Sequence, residues 1–406
     1  MFKSLSLKVI LFGFIFTFFS SFGQSFFLGL FNSSIRDALS ITQGQFGSIY
    51  ASATLLSSFL LIWVGKKIDD INIFKFAFFV TILLSFSCFF FSKISSIIFL
   101  FIAVFLMRFS GQGMMSHTAT TTISRYFTKS RGKALSTSWF GLSTAEFVLP
   151  VLIVYLLTIT TWQNIWISIS ILVLIFLPLF SFLLIKNLNF ESREETGDEK
   201  SKELDIKQWK RSEVLKDYRF YVICSNMLAM PWIATGVFVY QSFITESKDW
   251  GTFVIAQSFM AYSVLSVITL LVSGFLIDKF TSRKLLIFMN IPLLFSTLVL
   301  IYLDVSISAF IFLGLIGISN GFANVLGSST WAEIYGVRYI GSIKALTTAL
   351  MVFSTAFGTA LFGLLIDKGF SIEQIAIISA IYISSSLVLL FLTRKKLNPV
   401  QIYKNT

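Results

Sequence analysis

The chain has 406 residues, of which 55% are hydrophobic and 13% charged, with 48 phenylalanines and a formal charge of +12. Mean hydropathy is +0.82, far above that of an ordinary soluble domain, and the basic residues are scattered over short loops rather than gathered on one face, which excludes a nucleic-acid-binding protein. What remains is a polytopic membrane protein.

Taken in chain order, Lys3 and Lys8 precede an apolar run that is too long for a signal peptide and lacks a small-residue cleavage site, so a retained first helix is expected. Apolar runs of about 20 residues predict twelve spans at 8–31, 44–64, 74–92, 96–120, 134–158, 164–186, 219–244, 252–276, 285–303, 306–331, 342–366 and 371–393. An even number puts both termini on one side. Nearly all Lys and Arg fall on that side, while only Arg36, Lys93, Lys248 and Lys368 fall on the other, so the termini are expected to be cytoplasmic.

The stretch 187–217 mixes both signs of charge and reads as a cytoplasmic linker between an N-terminal bundle, 1–186, and a C-terminal bundle, 218–406. The halves resemble each other. GKKID ending at Asp69 matches GFLID ending at Asp278, 209 residues later, and GQGMMS at 111–116 matches SNGFAN at 319–324 with an offset of 208. An all-α protein of two pseudo-symmetric six-helix bundles is expected, built from a duplicated unit.

Arg108 lies inside the fourth run. If that helix enters hydrocarbon near Ile97, the arginine is about 16 Å deep at about 1.5 Å per residue, near the middle of a core roughly 30 Å thick. A charge there costs about 2.5 to 3.5 kcal/mol and faces a partner or a wet cavity. Arg108, Gln112 and Ser116 recur every four residues, with Thr120 next, so they share one helix face; by the repeat Gln112 corresponds to Asn320 and Ser116 to Asn324. Matched polar stripes suit a central substrate path. Helix-to-helix bonding is the plainer reading of the same amides and hydroxyls. His117 falls on the opposite face and reads as a packing or interfacial residue.

Glu146 reaches about 18 Å from the cytoplasmic end of the fifth run, a depth similar to that of Arg108. Two readings follow. In one, Arg108 and Glu146 form a permanent ion pair; in the other, Arg108 binds a substrate carboxylate and Glu146 carries the coupling proton. Cys88 and Cys224 both lie in apolar runs, so no disulfide framework is expected, and a single histidine argues against a metal site. No phosphate-binding loop ending in Gly-Lys-Ser/Thr occurs, so an ion gradient, H+ in preference, is the expected energy source. No cofactor is expected, and the helices hold no catalytic constellation, so an enzyme is not expected either.

With these motifs in place, the chain resembles the major facilitator superfamily over essentially its whole length. That family's loop after the second helix carries a Gly-x-Leu-Ala-Asp-Arg-x-Gly-Arg-Lys type motif, of which 65–75 is a degraded copy; 274–284 keeps Gly274, Asp278, Arg283 and Lys284, with Ser282 where the second glycine is usual. The resemblance implies gating roles for Asp69, Asp278, Arg283 and Lys284. RYFTKSRGKALSTSWFG at 125–141 is similar to the signature opening the fifth helix of monocarboxylate and oxalate/formate type carriers, with Tyr126, Phe127, Arg131, Ala134 and Gly141 fitting and Ser130 in place of an arginine. Arg131 thereby joins the gating set. The acidic-Gly-aromatic signature of eukaryotic monocarboxylate carriers and the Asp/Arg pair of their eighth helix are missing, so anion specificity rests on Arg108. The glycine-rich fifth-helix motif of drug-proton antiporters is absent too.

Helices 1, 4, 7 and 10 line the cavity in this family, which adds Gln24, Tyr240 and Gln241 to the expected substrate-facing residues. The reading is a proton-coupled carrier of a small organic anion, working by alternating access in a bacterial inner membrane, with lipid as its surroundings and a monomer sufficient. Drug or metabolite efflux, and a non-transporting receptor or scaffold of the same fold, are the alternatives.

Overall fold

Hydrocarbon offers the backbone no hydrogen-bond partner, so a chain of this composition crosses it as helices that satisfy themselves. The computed structural model describes residues 4–68, 70–127, 131–186, 206–336 and 338–401, and these form an all-α protein with twelve spans. They are α1 Ser6–Gly29, α2 Gln43–Val64, α3 Ile73–Phe91, α4 Ile97–Tyr126, α5 Ala134–Ile159, α6 Trp162–Ile185, α7 Tyr218–Val239, α8 Thr252–Ile277, α9 Ser282–Tyr302, α10 Ile307–Tyr335, α11 Ile343–Asp367 and α12 Ile372–Lys396. Every run read from the sequence corresponds to one of them. Large apolar side chains such as Phe275, Ile98 and Leu392 point outward, as a lipid-facing surface requires.

Short polar residues set several helix starts by accepting the first free amides. Thr42 and Ser371 form capping boxes with Gln45 and Gln374, and Ser96, Asn72 and Thr161 cap α4, α3 and α6. The structure divides into two compact units. The first comprises Met1–Arg193, Thr235–Met260 and Thr359–Gly369; the second comprises Glu194–Ala234, Ala261–Gly358 and Phe370–Thr406.

In the first unit α1 packs along α5, α3 along α6 and α2 along α4. Gly141 makes one of these approaches possible, because a Cβ there would collide with the Phe14 carbonyl of α1. In the second unit α9 packs between α10 and α12. Its core includes Phe220, Leu286, Met289, Trp331 and Tyr335.

The stretch read as a linker is not uniform. From Ile206 onward it belongs to the second unit: Ile206 bridges Gln401, the Lys207 amide donates to the Val400 carbonyl at 2.8 Å and the Trp209 amide to the Tyr335 carbonyl at 3.0 Å. Glu213 accepts from the Lys210 amide at 2.7 Å and pairs with Lys207 at 2.9 Å. The Lys210 amide and the Lys207 side chain hold its carboxyl below the usual range. Asp217 and Arg219 form a buried pair at 2.7 Å, and the Arg219 guanidinium lies over the rings of Trp209 and Tyr335.

Candidate functional site

The site begins with a broken helix in the first unit. α1 tightens into a 3₁₀ turn over Ser21–Gly23 and runs extended through Gln24 (φ −83, ψ 152) before resuming at Ser25. In an unbroken helix the Phe27 amide would donate to the Gly23 carbonyl. Here it donates to Gln24 at 3.2 Å instead. The freed Gly23 carbonyl accepts Nη1 of Arg108 at 3.0 Å.

Arg108 stands at the first residue of a π-helical segment, Arg108–Met115, inserted in α4, a wide-turn form that recurs at functional sites. Two glycines let the break and the bulge touch. A Cβ on Gly23 would collide with the Met107 carbonyl and the Gln112 amide, and one on Gly111 would lie 2.7 Å from the Gly23 nitrogen.

Arg108 is 3% exposed, and among the described residues its guanidinium meets only neutral groups. Besides Gly23, its Nη1 reaches Ser25 Oγ at 3.2 Å, and its central carbon lies 5.4 Å from the centroid of the Tyr50 ring. The Tyr50 hydroxyl donates to the same Ser25 Oγ at 3.0 Å. Nε of Arg108 is buried without a hydrogen-bond partner. Glu146, 7% exposed on α5, forms neither an ion pair nor a hydrogen bond among the described residues, so the permanent Arg108–Glu146 pair is not formed. A main-chain carbonyl, a hydroxyl and a ring take the place of the carboxylate.

The four-residue stripe is altered by the π segment, since four residues fall short of its wider turn. Gln112 is half-buried and Ser116 Oγ is buried without a partner. Beyond them Thr120, Thr121, Ser124 and Arg125 line a polar recess of about 320 Å³ at the end of α4. Gln24 is half-buried at the break itself. His117 Nε2 lies 3.0 Å from the Gly65 carbonyl at the end of α2. In the second unit Asn320 donates to Ser266 Oγ at 3.0 Å, and Asn324 is exposed.

Tyr240 belongs to a different part of the first unit. It is fully buried, and its hydroxyl sits 3.1 Å from the Gln43 carbonyl and 2.9 Å from that of Thr359. Around it the ends of α1 and α7 are tied together. Asn32 Nδ2 donates to the Val239 carbonyl at 2.8 Å, and Gln241 Nε2 donates to those of Phe26 and Phe238, both at 2.9 Å. Asn32 and Gln241 are 209 residues apart, the repeat offset, and each follows a break in its helix. Asp367 at the end of α11 accepts from the Thr42 hydroxyl at 2.5 Å and the Gly44 amide at 2.9 Å, where α2 begins.

Of the expected gating residues, Asp69 and the side chains of Asp278 and Arg131 lie outside the described residues. Arg283 Nε pairs with Glu333 at 3.1 Å, while Lys284 is exposed. Glu333 also accepts the Ser282 amide at 2.8 Å and so caps α9. The residue held in a glycine-like backbone is Thr281 (φ 69, ψ 147), one before the Ser282 singled out by the motif. Ser25, Tyr50, Asn32 and Glu333 were not legible as site residues. The one sequence sign was the polar run Gly23-Gln24-Ser25 inside an apolar helix.

The profile of the Major Facilitator Superfamily matches residues 13–359. A bacterial homologue of the human lysosomal transporter Spinster, solved inward-facing and occupied, superposes with TM-score 0.72 at 13% identity, covering 96% of each chain. The nucleoside transporter NupG superposes with TM-score 0.66 at 14% identity, covering 97% of this chain and 99% of its own. No curated protein matches the sequence.

Proposed function

This chain belongs to the Major Facilitator Superfamily, whose members are transporters, and from that premise we propose that it moves a small organic anion, a carboxylate, by alternating access driven by a proton gradient. The observation that carries the reading is the buried Arg108 cation with no anionic partner. A desolvated guanidinium bonded only to neutral groups retains an attraction for an anion, and its unpartnered Nε offers an edge to a carboxylate. Tyr50 and Ser25 hold that edge in place. Gln24 and Gln112, half-buried on the same two helices, supply further hydrogen bonds to the solute, and Asn320 and Asn324 are the matching polar positions of the second unit.

Glu146 is the coupling acid in this proposal. A carboxyl buried without a cation suits a group that binds and releases a proton during the cycle. Tyr240 serves the closure of α1, α2, α7 and α11, and Arg283 serves the inner gate together with Glu333, in company with Asp69, Asp278, Lys284 and Arg131. The membrane is the inner one of a bacterium, with both termini cytoplasmic.

The test is uptake and charge movement in proteoliposomes challenged with a panel of small carboxylates under an inward proton gradient. Wild type accumulates a carboxylate, Arg108→Gln does not, and Glu146→Gln loses proton-driven accumulation while keeping exchange. Normal uptake by Arg108→Gln would make the arginine a brace for the broken helix, and the substrate neutral or cationic.

A further inference from the structure

The second unit carries a surface with no place in the transport reading. Two basic runs, Lys207 to Lys216 and Arg394 to Lys396, are far apart in the sequence yet joined in the fold. The Ile206–Gln401 bridge, the Lys207 amide on Val400, and Arg219 Nη1 on the Asn398 carbonyl at 2.7 Å bind one to the other. Val214 and Leu397, both buried, pin the joined segments to the core beneath.

The carboxylates within this surface are already engaged, Glu213 with Lys207 and the Lys210 amide, and Asp217 with Arg219 below the surface. Lys210, Arg211, Lys216, Arg394, Lys395 and Lys396 are exposed, and none forms an ion pair among the described residues. The result is a fixed cluster of cations of one sign.

Its position identifies the partner. α7 begins at Tyr218 and α12 ends at Lys396, so the cations stand where hydrocarbon gives way to headgroups. They are bordered by exposed Leu215, Tyr218, Tyr221, Phe391 and Leu392, and aromatic residues are favoured at that depth. A soluble polyanion needs only the cations; a lipid uses both the cations and the apolar border. We propose that this joined surface is a docking platform for anionic phospholipid headgroups, which anchor the second unit to the leaflet on the side of both termini.

The experiment uses the full-length protein in mixed micelles holding equal phosphatidylglycerol and phosphatidylcholine, with bound lipid counted by native mass spectrometry. One variant neutralises four platform lysines (K210Q/K216Q/K395Q/K396Q), and a control neutralises four equally exposed lysines elsewhere (K67Q/K75Q/K279Q/K344Q). Wild type retains phosphatidylglycerol over phosphatidylcholine, the platform variant loses that retention by at least about fivefold, the loss one lysine alone accounts for, and the control keeps it. Equal losses in both variants, or no preference between the lipids, would overturn the proposal. So would complete displacement of the lipid by soluble polyphosphate, which would mark a soluble-anion site. Melting temperature in detergent monitors the fold, and the smaller K395Q/K396Q variant gives a proportionate loss should the fourfold one unfold.

Discussion

α4 and α10 carry matching motifs at an offset of 208 residues and differ at the point where α4 holds its charge. The position matching Arg108 is Ile316, fully buried, and α10 runs unbroken from Ile307 to Tyr335. Their partners differ in step. α1 breaks around Gly23, whereas α7 is interrupted at Leu228 and is helical at Trp232, the position matching Gly23; the Leu228 carbonyl accepts the Ser354 hydroxyl at 2.9 Å. Both partner helices are interrupted, but the carbonyl exposed in α1 holds a guanidinium and the one in α7 holds a hydroxyl. A freed carbonyl supplies what an arginine in hydrocarbon requires, and the one in α7 is already taken by Ser354.

Exchanging the two sides gives the largest effects. Ile316→Arg places a cation at a fully buried apolar position and destabilises by about 3 kcal/mol, read as a lowered melting temperature in detergent. Arg108→Ile leaves the Gly23 carbonyl without its donor at a cost of about 1–3 kcal/mol. An unchanged melting temperature for Ile316→Arg would mean that the second unit accommodates a charge at this position without the carbonyl that Arg108 has.

The second prediction concerns close approach. Gly111→Ala pushes a methyl group into the Gly23 backbone and costs about 1–3 kcal/mol by overpacking, whereas its counterpart Ser319→Ala changes stability little. Equal effects would mean that the crossing at the break is no tighter than the one in the other half.

The smallest effect has opposite signs in the two halves. Thr281→Gly relieves a backbone that a β-branched residue adopts with strain and stabilises by about 1 kcal/mol. At the matching position Asn72→Gly destabilises by roughly a few tenths of a kcal/mol, because Asn72 has an ordinary φ of −53 and its side chain caps α3. Thermal melts of the two variants check both signs.

The twelve spans were legible because hydrocarbon thickness imposes a length on any apolar run. The site was legible only in part. Arg108 and Glu146 stand out as charges in apolar runs, but the arginine's acceptor is a carbonyl, and no residue type announces a main-chain group. Ser25 and Tyr50 are ordinary residues in their own helices and gain meaning only where three helices meet. The four-residue spacing presumed an α-helical turn and missed the wider one. Ser282 drew attention because the motif was aligned on its final Arg283 and Lys284; counted from Gly274, its second glycine falls on Thr281, the residue that holds the glycine-like backbone. The far end of the linker was misjudged because its charges mask the few apolar residues, Val214 among them, that bury it in the second unit.

The amides of Asn32 and Gln241 each hold a carbonyl on the other's helix. Releasing one strains the other, since both contacts depend on the same spacing between two helix ends. The two helix ends are therefore held at one spacing by a reciprocal pair of contacts, and any change in that spacing loads both at once.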